Sequence, residues 1–147
     1  MRWARRSAAV LLLIGCGGSR TTGIPILTPG AIEEPVTAVL VAALEADSRL
    51  QTADSLWDPD ATVVANGELR LAPPRFAGVE PGGEVAITSS RLEVRQTLIW
   101  VFLEYRWLSV KESVARAGRA TVLLTPRSEG AGWRIIHLHS STPPTME

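Results

Sequence analysis

Two histidines stand two residues apart near the end of the chain, His137 and His139, in the stretch Gly-Trp-Arg-Ile-Ile-His-Leu-His-Ser-Ser over 132–141. On a strand both would share a face with Trp133 and Ile135, because side chains alternate with a period of two. That placement suits acid/base work at neutral pH. It equally suits a structural pair at a strand end or a subunit interface. A metal site needs three or four ligands. The chain has no third histidine and a single cysteine, so neither a metal nor another cofactor is expected. Glu104 falls in phase with Leu98, Trp100 and Phe102. A carboxylate ending an apolar stripe could abstract a proton; beside Arg106 it could also mark where the stripe reaches solvent. Asp58 and Asp60 flank Pro59 next to Trp57 and read first as turn formers. Arg119 and Thr121 share a strand face that could hold an acidic ligand. The sequence has neither a nucleophile elbow nor a Gly-rich phosphate loop.

These residues must be positioned by the elements around them. Ile32, Val36, Val39, Leu40, Ala43 and Leu44 recur at helical spacing, with Glu33-Glu34-Pro35 as the opening turn. Asp47 or Ser48 can cap a second, shorter helix through about Trp57, stopped by Asp58-Pro59-Asp60. Residues 61–65 are strand-like and Asn66-Gly67 signals a tight turn. Residues 71–83 are rich in Pro and Gly, and no regular element is expected there. Strands follow over 84–94, with a bulge where the alternation slips, then over 97–110, 118–126 and 132–141. Segregated helices and strands point to an α+β fold, with helices on one face of an antiparallel sheet. The 97–110 strand is apolar on both faces, so something must cover the second, and a second copy of the chain is the expected cover.

The charges balance at 15 Lys plus Arg against 15 Asp plus Glu, and no element carries a basic excess, which speaks against a nucleic-acid partner. One cysteine rules out an internal disulfide framework. That cysteine follows Arg2, Arg5 and Arg6 and the apolar run 8–14, the order of a secretory signal. Leu13-Ile14-Gly15-Cys16 resembles the lipobox of bacterial lipoproteins. The resemblance implies lipid on the Cys16 sulfur, cleavage before it, and a place in the cell envelope facing the periplasm or exterior. Gly17, where Asp would favour the inner membrane, implies the outer membrane of a Gram-negative cell. Expected boundaries are a leader at 1–15, a flexible tether at 16–30, a domain at 31–141 and a disordered tail at 142–147.

Three stretches resemble the nuclear transport factor 2-like superfamily and its SnoaL-like group: 56–67 (Leu-Trp-Asp-Pro-Asp-Ala-Thr-Val-Val-Ala-Asn-Gly), 118–124 (Gly-Arg-Ala-Thr-Val-Leu-Leu) and 132–141. The last is also similar to the end of the association domain of calcium/calmodulin-dependent kinases. The resemblance implies a cone: a bent antiparallel sheet wrapped round the N-terminal helices, enclosing a pocket. Trp57, Trp100, Phe102, Arg119, Ile136, Leu138 and Ser140 are the candidate lining. Those kinase domains place an arginine where Ser140 stands. The usual helix before the long strands is replaced here by 71–83, which implies a smaller or more open pocket. Members of the superfamily include isomerases, dehydratases, cyclases, ligand binders and oligomerisation modules, so fold does not decide function. The expected function is non-catalytic: binding of a small apolar ligand or self-assembly as a homodimer through the outer sheet face. The alternative is an isomerase-, dehydratase- or cyclase-type enzyme using His137, His139 or Glu104.

Overall fold

The computed structural model describes residues 29–143. The expected leader, Cys16, nearly all of the tether and residues 144–147 lie outside them. One helix, α1 (Pro29–Ser48), is followed by a 3-10 turn at Asp54–Leu56. Six strands then follow: β1 (Trp57–Ala65), β2 (Glu68–Leu69), β3 (Val85–Arg95), β4 (Leu98–Leu108), β5 (Ala115–Pro126) and β6 (Trp133–Ser141).

Helix α1 buries Ile32, Val36, Leu40, Ala43 and Leu44, the stripe expected from their spacing. It begins earlier than the Glu33-Glu34-Pro35 opening suggested, and Pro35 lies inside it. Proline there has no N–H to donate, but the apolar stripe runs across it from Ile32 and holds both sides to the sheet. The second helix does not form. Asp47 and Ser48 are the last residues of α1, and the Ser48 hydroxyl donates back to the Glu45 carbonyl at 2.9 Å. The chain then reverses through a Schellman turn. Gln51 N–H donates to Ala46 at 2.8 Å and Leu50 N–H to Asp47 at 3.0 Å, with Leu50 at φ 53.

The sheet order is β2-β1-β6-β5-β4-β3, with β1 and β6 parallel and every other pair antiparallel. The terminal strand β6 therefore lies between the first strand and β5. Asp58-Pro59-Asp60 does not end an element but sits within β1, whose register with β6 breaks between Trp57 and Thr62. Proline cannot donate to a ladder, so the strand bends away and returns. Asn66 and Gly67, both at positive φ, make the tight turn into β2. Bulges fall between Ile87 and Ser89 in β3 and opposite Leu123–Leu124 in β6. Such insertions bend strands, and the sheet curves round α1 without closing.

The core is the inner row of β4 (Ile99, Val101, Leu103, Tyr105, Trp107), its neighbours Val122, Leu124, Ile135 and Leu138, and the buried stripe of α1. Trp57 and Trp133 close it at one end. Phe76 and Val79 join it from the Pro/Gly-rich stretch.

Candidate functional site

The space between α1 and the curved sheet is occupied by the chain itself. Phe76, Ala77 and Val79 are all buried, although they belong to a stretch with no regular structure. The Phe76 ring meets Tyr105 edge-on, centroids 5.4 Å apart at 73°, and Tyr105 in turn lies 5.9 Å from Trp107. Edge-to-face contacts of this kind add to the burial of each ring. Two glycines make the fit possible. A Cβ on Gly78, at φ +75, would lie 2.5 Å from the Trp107 ring, and one on Gly118 would lie 2.4 Å from the Tyr105 ring.

A buried loop must find partners for its peptide groups, and this one takes them from three elements. Asp47, at the end of α1 and 1% exposed, accepts the N–H groups of Arg75 and Phe76 on one carboxylate oxygen, Oδ2, both at 2.6 Å. Ser140 Oγ on β6 accepts from Ala77 N–H at 2.9 Å, and the Tyr105 hydroxyl on β4 donates to the Ala77 carbonyl at 2.7 Å. Farther along, Gly82 N–H donates to Ser48 O, and the Glu80 carboxylate accepts from the Ser109 hydroxyl and Val110 N–H. The Arg75 side chain stays outside, over the Trp57 ring at 4.5 Å.

Burial pushes the Asp47 carboxyl up to about 6, against the pull of the two N–H groups and the Arg75 charge. Burial likewise pushes the Tyr105 phenol up; the Ser140 hydroxyl works the other way and the Asp47 charge adds to the rise. Sequence reasoning passed over Asp47 as a helix cap. Its signal was available: it falls in phase with Leu40, Ala43 and Leu44 on the buried stripe, where an aspartate needs a reason.

The outer face of the sheet has the opposite character. Alternation along β4 sends Trp100, Phe102, Glu104, Arg106 and Leu108 outward, all exposed. Register aligns rows across the strands: Glu93, Trp100, Leu123 and His137 in one, Arg91, Phe102, Thr121 and His139 in the next, Ser89, Glu104, Arg119 and Ser141 in a third. A shallow groove of about 380 Å³ crosses the second and third rows, lined by Arg91, Phe102, Glu104, Arg119, Thr121 and His139 among others. The Arg91 guanidinium lies 5.9 Å from the Phe102 ring centroid, and Arg119 Nε bonds Glu104 Oε1 at 3.0 Å with both side chains largely solvated. Arg91 and Arg95 both bond Glu93 and hold its carboxyl below the usual range.

The candidate residues thus divide between two places. Trp57, Leu138 and Ser140 are buried on the inside. Trp100, Phe102, Glu104, Arg119 and His139 share the outer face, with half-buried His137. Strict alternation along β6 would group Trp133, Ile135, His137 and His139 together. The bulge at Ile136, itself half-buried, changes the phase: Trp133 and Ile135 point inward before it, Leu138 and Ser140 after it. Among the described residues, no group of three His, Cys, Asp or Glu is arranged to hold a metal.

No protein-family profile matches the sequence, and no curated protein does either. Solved structures do. A nuclear transport factor 2-like superfamily protein from Salmonella enterica serovar Typhimurium superposes with TM-score 0.60 at 12% identity, over 82% of this chain and 96% of that one. A Nostoc punctiforme protein of unknown function with a cystatin-like fold gives 0.63 at 5%, over 78% and 92%. The association domain of calcium/calmodulin-dependent protein kinase II from C. elegans gives 0.57 at 15%, over 77% and 97%. The chain has the nuclear transport factor 2-like, cystatin-like α+β fold, with one α-helix among the described residues where the sequence suggested two.

Proposed function

We propose that this domain is a non-catalytic assembly module, held to a cell envelope by lipid on Cys16 and pairing with a second copy through the outer face of its sheet. The observation that carries this reading is the filled interior. Phe76, Ala77 and Val79 are buried against the core between α1 and the sheet, and the peptide groups of Phe76 and Ala77 are bonded there. An isomerase-, dehydratase- or cyclase-type reaction would need its acid or base inside the cone. The titratable side chains there, Asp47 and Tyr105, lie beneath the loop, while His137, His139 and Glu104 look outward.

The outer face has the properties of a contact surface. Trp100 and Phe102 are 36% and 42% exposed, side by side on one strand, and aromatic residues of this kind anchor interfaces. Charges of both signs surround them, and the Glu104–Arg119 pair can exchange partners across a two-fold axis. One of the similar structures is the association domain of a protein kinase, which supports self-pairing as a use of this fold. For the anchor, the support is the basic, apolar, Leu13-Ile14-Gly15-Cys16 order of the N-terminus. More than one acyl chain gives stable attachment, at about 0.8 kcal/mol per buried methylene. Gly17 favours the outer membrane of a Gram-negative cell.

Sedimentation of the full chain in detergent tests the pairing. The expected species is an assembly of two copies or more, whose mass Trp100→Asp lowers by removing the face contact, with unchanged circular dichroism. A wild-type chain that stays monomeric at high concentration would remove the proposal. Cell fractionation tests the anchor: Cys16→Ala should leave the membrane fraction, and unchanged retention there would contradict lipidation.

A further inference from the structure

Strand β3 ends the sheet. One of its edges bonds β4, and no strand among the described residues takes the other. An open edge invites pairing, and proteins guard such edges with charge, proline or bulges. Here the guard is selective. The bulge at Thr88 interrupts the strand, leaving Ser89–Arg95 as its regular run, free of proline. On the outer side that run carries Arg91, Glu93 and Arg95, alternating in sign, with Arg91 and Arg95 76% and 71% exposed.

We infer that this edge pairs with the same edge of a second copy, antiparallel and centred on Leu92. Charge complementarity selects the register. Residues opposite each other in an antiparallel pair share a face. Centring on Leu92 sets Arg91 against Glu93 on both sides of the axis, Arg95 against Ser89, and Val94 against Ser90. Centring on Arg91 or Glu93 would set like charges against each other, which is destabilising. Centring on Val94 would keep a Glu93–Arg95 match but overlap only residues 93–95. Leu92 is also the midpoint of Ser89–Arg95, so the register with matched charges is the one in which the whole run overlaps. The alternating charges that repel a single-sign partner therefore admit a mirrored copy. Half-buried Leu92, on the inner side beside the core, gains its own copy as neighbour. This edge is separate from the outer face bearing Trp100, so the two contacts stand or fall independently.

The test uses the full chain with Cys16→Ala, so that Leu92→Cys is the sole thiol. Directly opposed strand residues have Cα atoms about 4.5–5.5 Å apart, within disulfide range. Oxidation should yield a covalent dimer, and Trp100→Asp should leave that yield unchanged. Absence of the cross-link, or its loss with Trp100→Asp, would overturn edge pairing. Arg91→Glu alone and Glu93→Arg alone should each weaken edge association about tenfold, read by sedimentation in the Trp100→Asp background. The double exchange should return it to within about threefold of the parent. A double variant no better than the worse single one would overturn the register.

Discussion

Along β4, one step in sequence separates two environments. Ile99, Val101, Leu103, Tyr105 and Trp107 face inward and are at most 3% exposed. Trp100 and Phe102 are as large and as apolar, yet they face solvent beside Glu104 and Arg106. Residue type does not distinguish the two rows over the first half of the strand; what covers them does. The inner row is covered by α1 and by a loop that brings its own hydrogen-bond partners. The outer row has no cover within the described chain. The inner face is thus committed to stability, and the outer face remains available for contact.

A residue outside that matched one inside in its cost to stability would break this contrast, and the inner residue to test first is Phe76. Phe76→Ala should lose about 3–5 kcal/mol in chemical denaturation, since the cavity lies between packed rings. The same truncation at Phe102 should cost far less. Asp47→Asn sharpens the contrast through pH. The folded carboxyl is raised to about 6 from 3.8, so the fold favours its protonated form. The stabilisation from proton uptake is full below the unfolded value and is lost as pH rises through about 6, on the order of 3 kcal/mol in all. The variant's amide oxygen can still accept both N–H groups, so unfolding free energy measured from pH 4 to 7 should lose this slope. A variant with the wild-type slope would show that Asp47 is not its source. Gly118→Ala should cost about 1–3 kcal/mol, because its methyl must displace the Tyr105 ring; an unchanged melting temperature would mean the ring yields freely. Smallest of all, Glu104→Gln should change stability by about 0.5 kcal/mol or less, as exposed pairs do.

The strands were legible because their signal is periodic. The two-faced 97–110 stretch became β4 between Leu98 and Leu108, and Asn66-Gly67 turns as its residue types require. What was hidden depends on contacts between distant segments. The 71–83 stretch reads as a bare connection; its role rests on Phe76 meeting Tyr105, which no local pattern announces. Phe76, Ala77 and Val79 inside a Pro/Gly-rich run were the available hint. The phase change at Ile136 is likewise invisible locally, because a bulge is set by the register of the neighbouring strand. The missing second helix has a local reason: an aspartate in phase with a buried stripe belongs to that stripe, and the helix that carries it runs on to Ser48.

The parallel pairing of β1 with β6 has a consequence for the order of events as the chain is made. Trp57–Ala65 finds its principal sheet neighbour only in Trp133–Ser141, and Asn66 reaches 76 positions along the chain to hold Thr142. A polypeptide emerging N-terminus first cannot complete this sheet until Trp133–Ser141 is out. Contacts so remote along the chain slow folding. The first strand therefore stays without its main partner while everything between is made.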